Sequence, residues 1–207
     1  IIIIDPADSN SIIKFIKKKK LKLNSILLTH HHHDHTAGIE GMLNYQSVNV
    51  YSSNSKIKGT TKIIRGGDKL DLDIIELSII KTPGHTLDHI VYYNNLHHIL
   101  FSGDTLFRLG CGRIFEGNYK QMYNSLNKIK ELDNQTTVYC GHEYTQANLS
   151  FLISVFPNYK DLLNEKENIN KQIFKTKSSI PFNLGFEKEL NPFLSTESNY
   201  YKSFKNS

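Results

Sequence analysis

Apolar residues fall along this chain in short runs parted by polar turns, and the runs repeat now every second residue, now at about 3.6. Ile1 to Ile4 reads as a buried strand closed by Asp5-Pro6, and Ser9 or Asp8 can cap a helix reaching about Lys20, with Ile12, Ile13, Phe15 and Ile16 facing inward. Ser25 to Thr29 predicts a second buried strand. Strand, helix and strand by Thr29 make an α/β opening. A short helix over Gly38 to Tyr45 and a strand over Val48 to Ser52 follow, then a turn-rich connector from Gly59 to Gly67. Lys69 to Leu72 and Ile74 to Lys81 pair around Asp73, and Ile90 to Tyr93 and His98 to Phe101 pair around Asn94-Asn95.

Asn118 begins a helical pattern to about Leu132, with Met122, Leu126 and Ile129 at inward spacing. Thr136 to Cys140 predicts a strand, Tyr144 to Val155 a helix ended by Pro157, and Asp161 to Lys175 another helix. Beyond that, prolines, serines and glycines predict irregular chain. No strand is expected after about Gln146, so residues 146–207 read as a small helical unit appended to a unit over 1–145. The first half holds more strands than simple alternation gives. Two sheets, each covered outside by helix, fit it better than one open sheet.

With 207 residues, 39% hydrophobic, the chain can bury a substantial core. A net charge of +5 and a pI near 9.0 raise a nucleic-acid reading, but the only dense basic run, Lys17 to Lys20, sits where a helix C-terminus favours cations. Neither a nucleic-acid partner nor a membrane is therefore expected, since no apolar run approaches membrane-spanning length. The two cysteines, Cys111 and Cys140, build no disulfide framework and fit a reducing, cytoplasmic compartment. The opening IIIIDPADS has no methionine and reads as a strand in progress, so an upstream N-terminus is expected and an organellar form stays open. Oligomeric state is not legible.

Chemistry concentrates in Thr29 to Gly38, THHHHDHTAG, whose core is His-x-His-x-Asp-His at His30, His32, Asp34 and His35. If the strand continued, His30 and His32 would point one way and His31 and His33 the other, with Asp34 and His35 past its end. Imidazole and carboxylate are donors that zinc prefers and that iron or manganese also accept. The bland alternatives are a polar loop or an embedded purification tag, but tags seldom follow a buried strand or include an aspartate. Three later strand ends offer further donors beside glycines: His85 in TPGHT, Asp104 in SGDT and His142 in CGHEY.

Assembled, these motifs resemble the metallo-β-lactamase superfamily and, within it, the glyoxalase II (hydroxyacylglutathione hydrolase) family, from Ile4 to about Leu194. LGCGRIFEG, YCGHEYT and Asn191-Pro192-Phe193-Leu194 carry the narrower likeness. The resemblance implies a four-layer αββα sandwich with a C-terminal helical unit, lacking here the N-terminal strand or hairpin with which family members begin. It implies two divalent metal ions per chain: His30, His32 and His85 hold one, Asp34, His35 and His142 the other, and Asp104 bridges them. A hydroxide held between the metals and oriented by Asp34 would attack the thioester of S-D-lactoylglutathione, giving D-lactate and glutathione. Arg113 and Tyr144 match family substrate contacts, Phe115 stands where a tyrosine is usual, and Lys202 and Lys205 are the nearest candidates for a terminal basic pair. The competing readings are another hydrolase of this fold, a mononuclear-iron persulfide dioxygenase, a trypanothione-like substrate, and a binding protein without activity.

Overall fold

The protein is described from a computed structural model covering residues 1–196 and 201. Two sheets face each other. The first is wholly parallel, in the order β1 (Ile2–Ile4), β2 (Ser25–Leu27), β3 (Asn49–Ser52), β4 (Lys62–Ile63). The second holds six strands in the order β12 (Phe182–Asn183), β11 (Thr137–Cys140), β8 (Ile99–Gly103), β7 (Ile90–Asn94), β6 (Glu76–Lys81), β5 (Lys69–Asp71). A small ribbon of β9 (Leu106–Phe107) and β10 (Gly110–Cys111) stands apart.

Alternation along β2 and just beyond it explains the layering. Leu27 packs between the sheets with Leu77, Ile79, Ile90 and Tyr92, whereas Ile26 and Leu28 face outward to α1 (Ser9–Lys19) and α3 (Ile39–Tyr45) through Ile16, Ile39 and Met42. The Asp8 carboxylate caps α1 at the amides of Asn10 and Ser11, and three lysines crowd its last turn. On the far side α4 (Tyr119–Lys130), opened by an Asn118–Gln121 capping box, buries Met122, Leu126 and Ile129 against Val91, Leu100 and Val138. Helix, sheet, sheet, helix is the four-layer αββα sandwich expected from sequence. Tyr92 stitches the sheets, its hydroxyl donating to Leu28 O at 2.6 Å.

Helices α5 (Thr145–Val155), α6 (Lys160–Thr176) and α7 (Leu184–Leu190) form a separate core around Leu149, Leu152, Leu162 and Ile169. One expectation is corrected here, because the chain after Gln146 does contain a strand. Phe182 and Asn183 pair antiparallel with Val138 and Thr137, so the last segment completes the second sheet. Two residues, one just after Pro181 and the other itself the N-cap of α7, carry no periodicity, and only the non-local pairing makes them a strand.

Candidate metal centre

Strand direction brings the donors to one edge. β1 and β2 are parallel, and β6, β8 and β11 all run one way because β7 opposes both β6 and β8 while β8 parallels β11. Asp5, His30 to His35, His85, Asp104 and His142 all follow the ends of these five strands. Strand β2 stops at Leu27 instead of continuing, and α2 (His33–Thr36) carries Asp34 and His35. The histidines still converge as alternation predicts, by way of an irregular turn.

Two sets of donors result. In the first, His32 Nδ1 lies 3.1 Å from His30 Nε2 and 3.0 Å from His85 Nε2. In the second, His142 Nε2 lies 3.2 Å from His35 Nε2 and 3.3 Å from Asp34 Oδ2. Asp104 stands between them. Its Oδ2 is 3.5 Å from His85 Nε2 and 3.3 Å from His142 Nε2, and its Oδ1 is 3.4 Å from His35 Nε2. That Oδ1 is buried and receives no hydrogen bond, although His35 Nε2 lies 3.4 Å away and His85 and His142 face the other oxygen of the same carboxylate. A buried carboxylate oxygen without a donor, facing imidazole nitrogens a hydrogen-bond length apart, is a donor set that suits cations. Gly141 makes room for it, since a Cβ there would come within 2.3 Å of Asp104 Oδ1.

The other ring nitrogens are fixed from behind, which sets the tautomers. His85 Nδ1–H donates to Arg113 O at 2.8 Å, and His35 Nδ1–H to Asp5 Oδ2 at 2.9 Å. Thr29 donates its hydroxyl to Asp5 Oδ2 at 2.6 Å, so it receives the His30 Nδ1–H, 3.0 Å away. All three rings thus turn Nε2 to the centre. His89, fully buried, is not among the donors. It accepts the Asp104 amide at Nε2, 3.1 Å away, and its Nδ1 faces the hydroxyls of Thr82 and Thr105.

Electrostatics follow burial and charge. Burial pushes His30 far down and His85 down, keeping both neutral as donors, and pushes His89 down to about 3. Burial disfavours charge on His35 too, but the carboxylates of Asp104 and Asp5 outweigh it and raise that ring to about 10. Asp104, which burial alone would raise, is held low by His35, His142 and His85. The centre therefore favours positive charge between its carboxylates. The two thiols are poor nucleophiles here, each pushed up to about 12 by burial.

Residues 1–142 match a family model described as the metallo-beta-lactamase superfamily, and residues 143–206 one described as the hydroxyacylglutathione hydrolase C-terminus. The chain belongs to the hydroxyacylglutathione hydrolase family. A relative named hydroxyacylglutathione hydrolase from Wigglesworthia glossinidia brevipalpis is 45% identical over 194 residues, covering 93% of this chain and 76% of its own. One of the same name from Nitrosomonas eutropha is 42% identical over 196 residues, with 93% and 76% covered. In fold the chain is similar to ETHE1 from Myxococcus xanthus, with a TM-score of 0.70 over 99% of this chain and 79% of that one at 24% identity.

All seven donors named from the family pattern meet in these two sets. Phe115 and Tyr144 flank them, Phe115 edge-on to His85 and His32 at 5.2 and 5.5 Å, and Tyr144 stacked on His142 at 5.0 Å. Arg113 is exposed, with its carbonyl on His85. Lys202 and Lys205 lie outside the described residues. Sequence reading missed Asp5 and Thr29, whose only signal was an aspartate just past a strand end and a threonine before the first histidine. It also missed the engagement of His31, whose Nδ1 lies 2.9 Å from Asp88 and Nε2 3.4 Å from Glu116, joining three loops of the centre.

Proposed function

We propose that this protein hydrolyses S-D-lactoylglutathione to D-lactate and glutathione at a centre of two divalent metal ions, zinc first with iron and manganese as alternatives. The observation that carries the reading is the pair of donor sets sharing Asp104, in a chain whose C-terminal third matches the hydroxyacylglutathione hydrolase model. His30, His32 and His85 would hold one ion, Asp34, His35 and His142 the other, with Asp104 between. Bound there, such ions acidify a water and polarise the thioester carbonyl.

The chain's own groups do the rest. Asp34, with its side chain 60% exposed and Oδ2 3.3 Å from His142 Nε2, would both bind metal and orient the attacking water. The leaving thiol resembles cysteine, with a pKa of ~8.5, so it departs as thiolate without a general acid. This agrees with the lack of need for Cys111 or Cys140 as nucleophile. Arg113 would pair with the glycine carboxylate of glutathione, and Tyr144 and Phe115 would line its approach. Residues 1–145 then supply the chemistry together with the Arg113, Phe115 and Tyr144 contacts, and 146–207, as a substrate-binding unit, would add Lys202 and Lys205. Among the described residues no helix is long and apolar enough to cross a membrane.

A full second donor set favours this reading over a mononuclear-iron dioxygenase. The test is steady-state hydrolysis of S-D-lactoylglutathione by metal-stripped protein restored with zinc, iron or manganese. Turnover that returns with metal and is lost in His85→Ala and Asp104→Ala supports it. Two bound ions without turnover would overturn the substrate assignment.

A further inference from the structure

The turn that delivers His142 and Tyr144 carries a third polar side chain aimed elsewhere. Glu143 lies between them in sequence, and its carboxylate reaches the connection between α6 and β12. There it accepts hydrogen bonds from Ser178 Oγ, from Ser179 Oγ and, at 3.0 Å, from the Ser179 amide. Ser179 is fully buried and committed on every polar atom. Its hydroxyl lies 2.6 Å from Thr145 Oγ1, and its carbonyl accepts from Arg108 Nη1 at 2.8 Å.

Arg108 extends the junction. Its guanidinium also donates to Glu165 Oε1 at 2.6 Å and to Gln172 Oε1 at 2.8 Å, both on α6, and its carbonyl accepts from Asn148 Nδ2 at 3.0 Å. Arg108 precedes the segment that leads through β10 to Arg113. The turn after β11 and the approach to Arg113 are thus tied to one buried serine.

Among the described residues the turn is also held by Cys140 Sγ, 3.4 Å from His142 O, and by the Phe107 ring, edge-on to Tyr144 at 5.1 Å and to His142 at 6.1 Å. Tyr144 caps α5 without any side-chain hydrogen bond, and Gly141 fastens the turn's start through its amide to Gly103 O at 2.9 Å. The His142 and Tyr144 rings stack at 19° between planes, so displacing one displaces the other. We infer that Glu143 is a positioning residue, which fixes the His142–Tyr144 turn on Ser179 so that a metal donor and a substrate-side ring keep one geometry. This rests on the reading of His142 as a metal donor and Tyr144 as a substrate contact. Glu143 touches neither metal donor atoms nor substrate, so its effect passes through its neighbours.

Three variants test it. Glu143→Ala removes every acceptor, Glu143→Gln keeps an acceptor oxygen in the same place, and Ser178→Ala removes one of the bonds to Glu143, along with the hydroxyl's own bonds to Ile180, should the alanine at 143 fold poorly. Metal content per chain after dialysis against a weak chelator, KM and kcat for S-D-lactoylglutathione, and the melting temperature are measured together. The expected result is that Glu143→Ala keeps one ion where the wild type keeps two and binds the second about tenfold more weakly, the lower end of such second-sphere effects. KM rises in parallel, Glu143→Gln recovers both, and Ser178→Ala falls between. A lowered melting temperature with metal retention and KM unchanged overturns the inference, as does an alanine variant equal to wild type. If the wild type does not turn the thioester over, the proposed substrate fails, and metal retention alone still decides the role of Glu143.

Discussion

Asp5 Oδ2 lies 2.9 Å from His35 Nδ1, and the same carboxylate receives the Thr29 hydroxyl at 2.6 Å and, on Oδ1, the Thr29 amide at 2.8 Å. Because Thr29 backs His30, one aspartate orients a donor in each set. The residue sits just after β1 in the left-handed region, φ 50°, a conformation that aspartate tolerates better than most residues.

Replacing that carboxylate by its amide should therefore weaken both ions together. Asp5→Asn keeps the shape but loses the charge that makes each imidazole more basic, and a cost of about 10- to 100-fold in metal affinity is expected. Competition with a chromogenic chelator reads it directly. Unchanged affinity at both sites would mean that Asp5 only shapes the backbone.

Metal should also stabilise the fold, because the two sets exist only in the native chain. At free metal a thousandfold above Kd the gain is ~4 kcal/mol per site, and at this chain length each kcal/mol moves the melting temperature by about 2–4 °C. With both sites filled, scanning calorimetry with and without chelator should show a rise of roughly 20 °C. Asp104→Ala should abolish most of it. A melting temperature indifferent to chelator would argue against ions at these donors.

Much of this centre was legible in the chain because its donors lie in short motifs after strands. His30, His32, Asp34 and His35 are packed into six residues, and His85, Asp104 and His142 each sit beside a glycine at a strand end. The paired core was legible for the same kind of reason, since alternation in β2 and helical spacing in α4 are local signals. Asp5 was not, because its partners are 24 and 30 residues away and nothing local marks a carboxylate as the back of a histidine. Strand β12 was hidden similarly, by a pairing that reaches 44 residues back to Val138. The junction of Arg108, Glu165 and Ser179 shows in sequence only as scattered polar residues.

Phe115 offers a test of substrate placement. Its ring is 64% exposed beside His32 and His85, so a para-hydroxyl at its rim would reach solvent or substrate without disturbing the core. If glutathione lies along this ring, Phe115→Tyr should lower KM about fivefold, the worth of one ~1 kcal/mol hydrogen bond, and leave kcat unchanged. Steady-state kinetics separates the two parameters. A fall in kcat with constant KM would place the ring at the reacting carbonyl instead.

Glu187 makes stability depend on pH. It is 2% exposed, its Oε2 accepts the Leu109 amide at 2.7 Å and Asn191 Nδ2 at 2.9 Å, and burial raises its pKa to about 7 despite those bonds and nearby Arg108. The folded chain therefore holds this proton to higher pH than the unfolded chain, which gives it up near 4.5. Stability from this group is complete below pH 4.5 and declines as pH rises to about 7, above which the loss is constant. At 1.36 kcal/mol per pKa unit, the loss approaches ~3 kcal/mol. Glu187→Gln removes the titration while keeping an acceptor for Leu109, so its stability relative to wild type should grow between pH 5 and 7 and then level off. Urea unfolding at a series of pH values measures the difference, and parallel curves for the two proteins would show that Glu187 is ionised in the folded chain throughout.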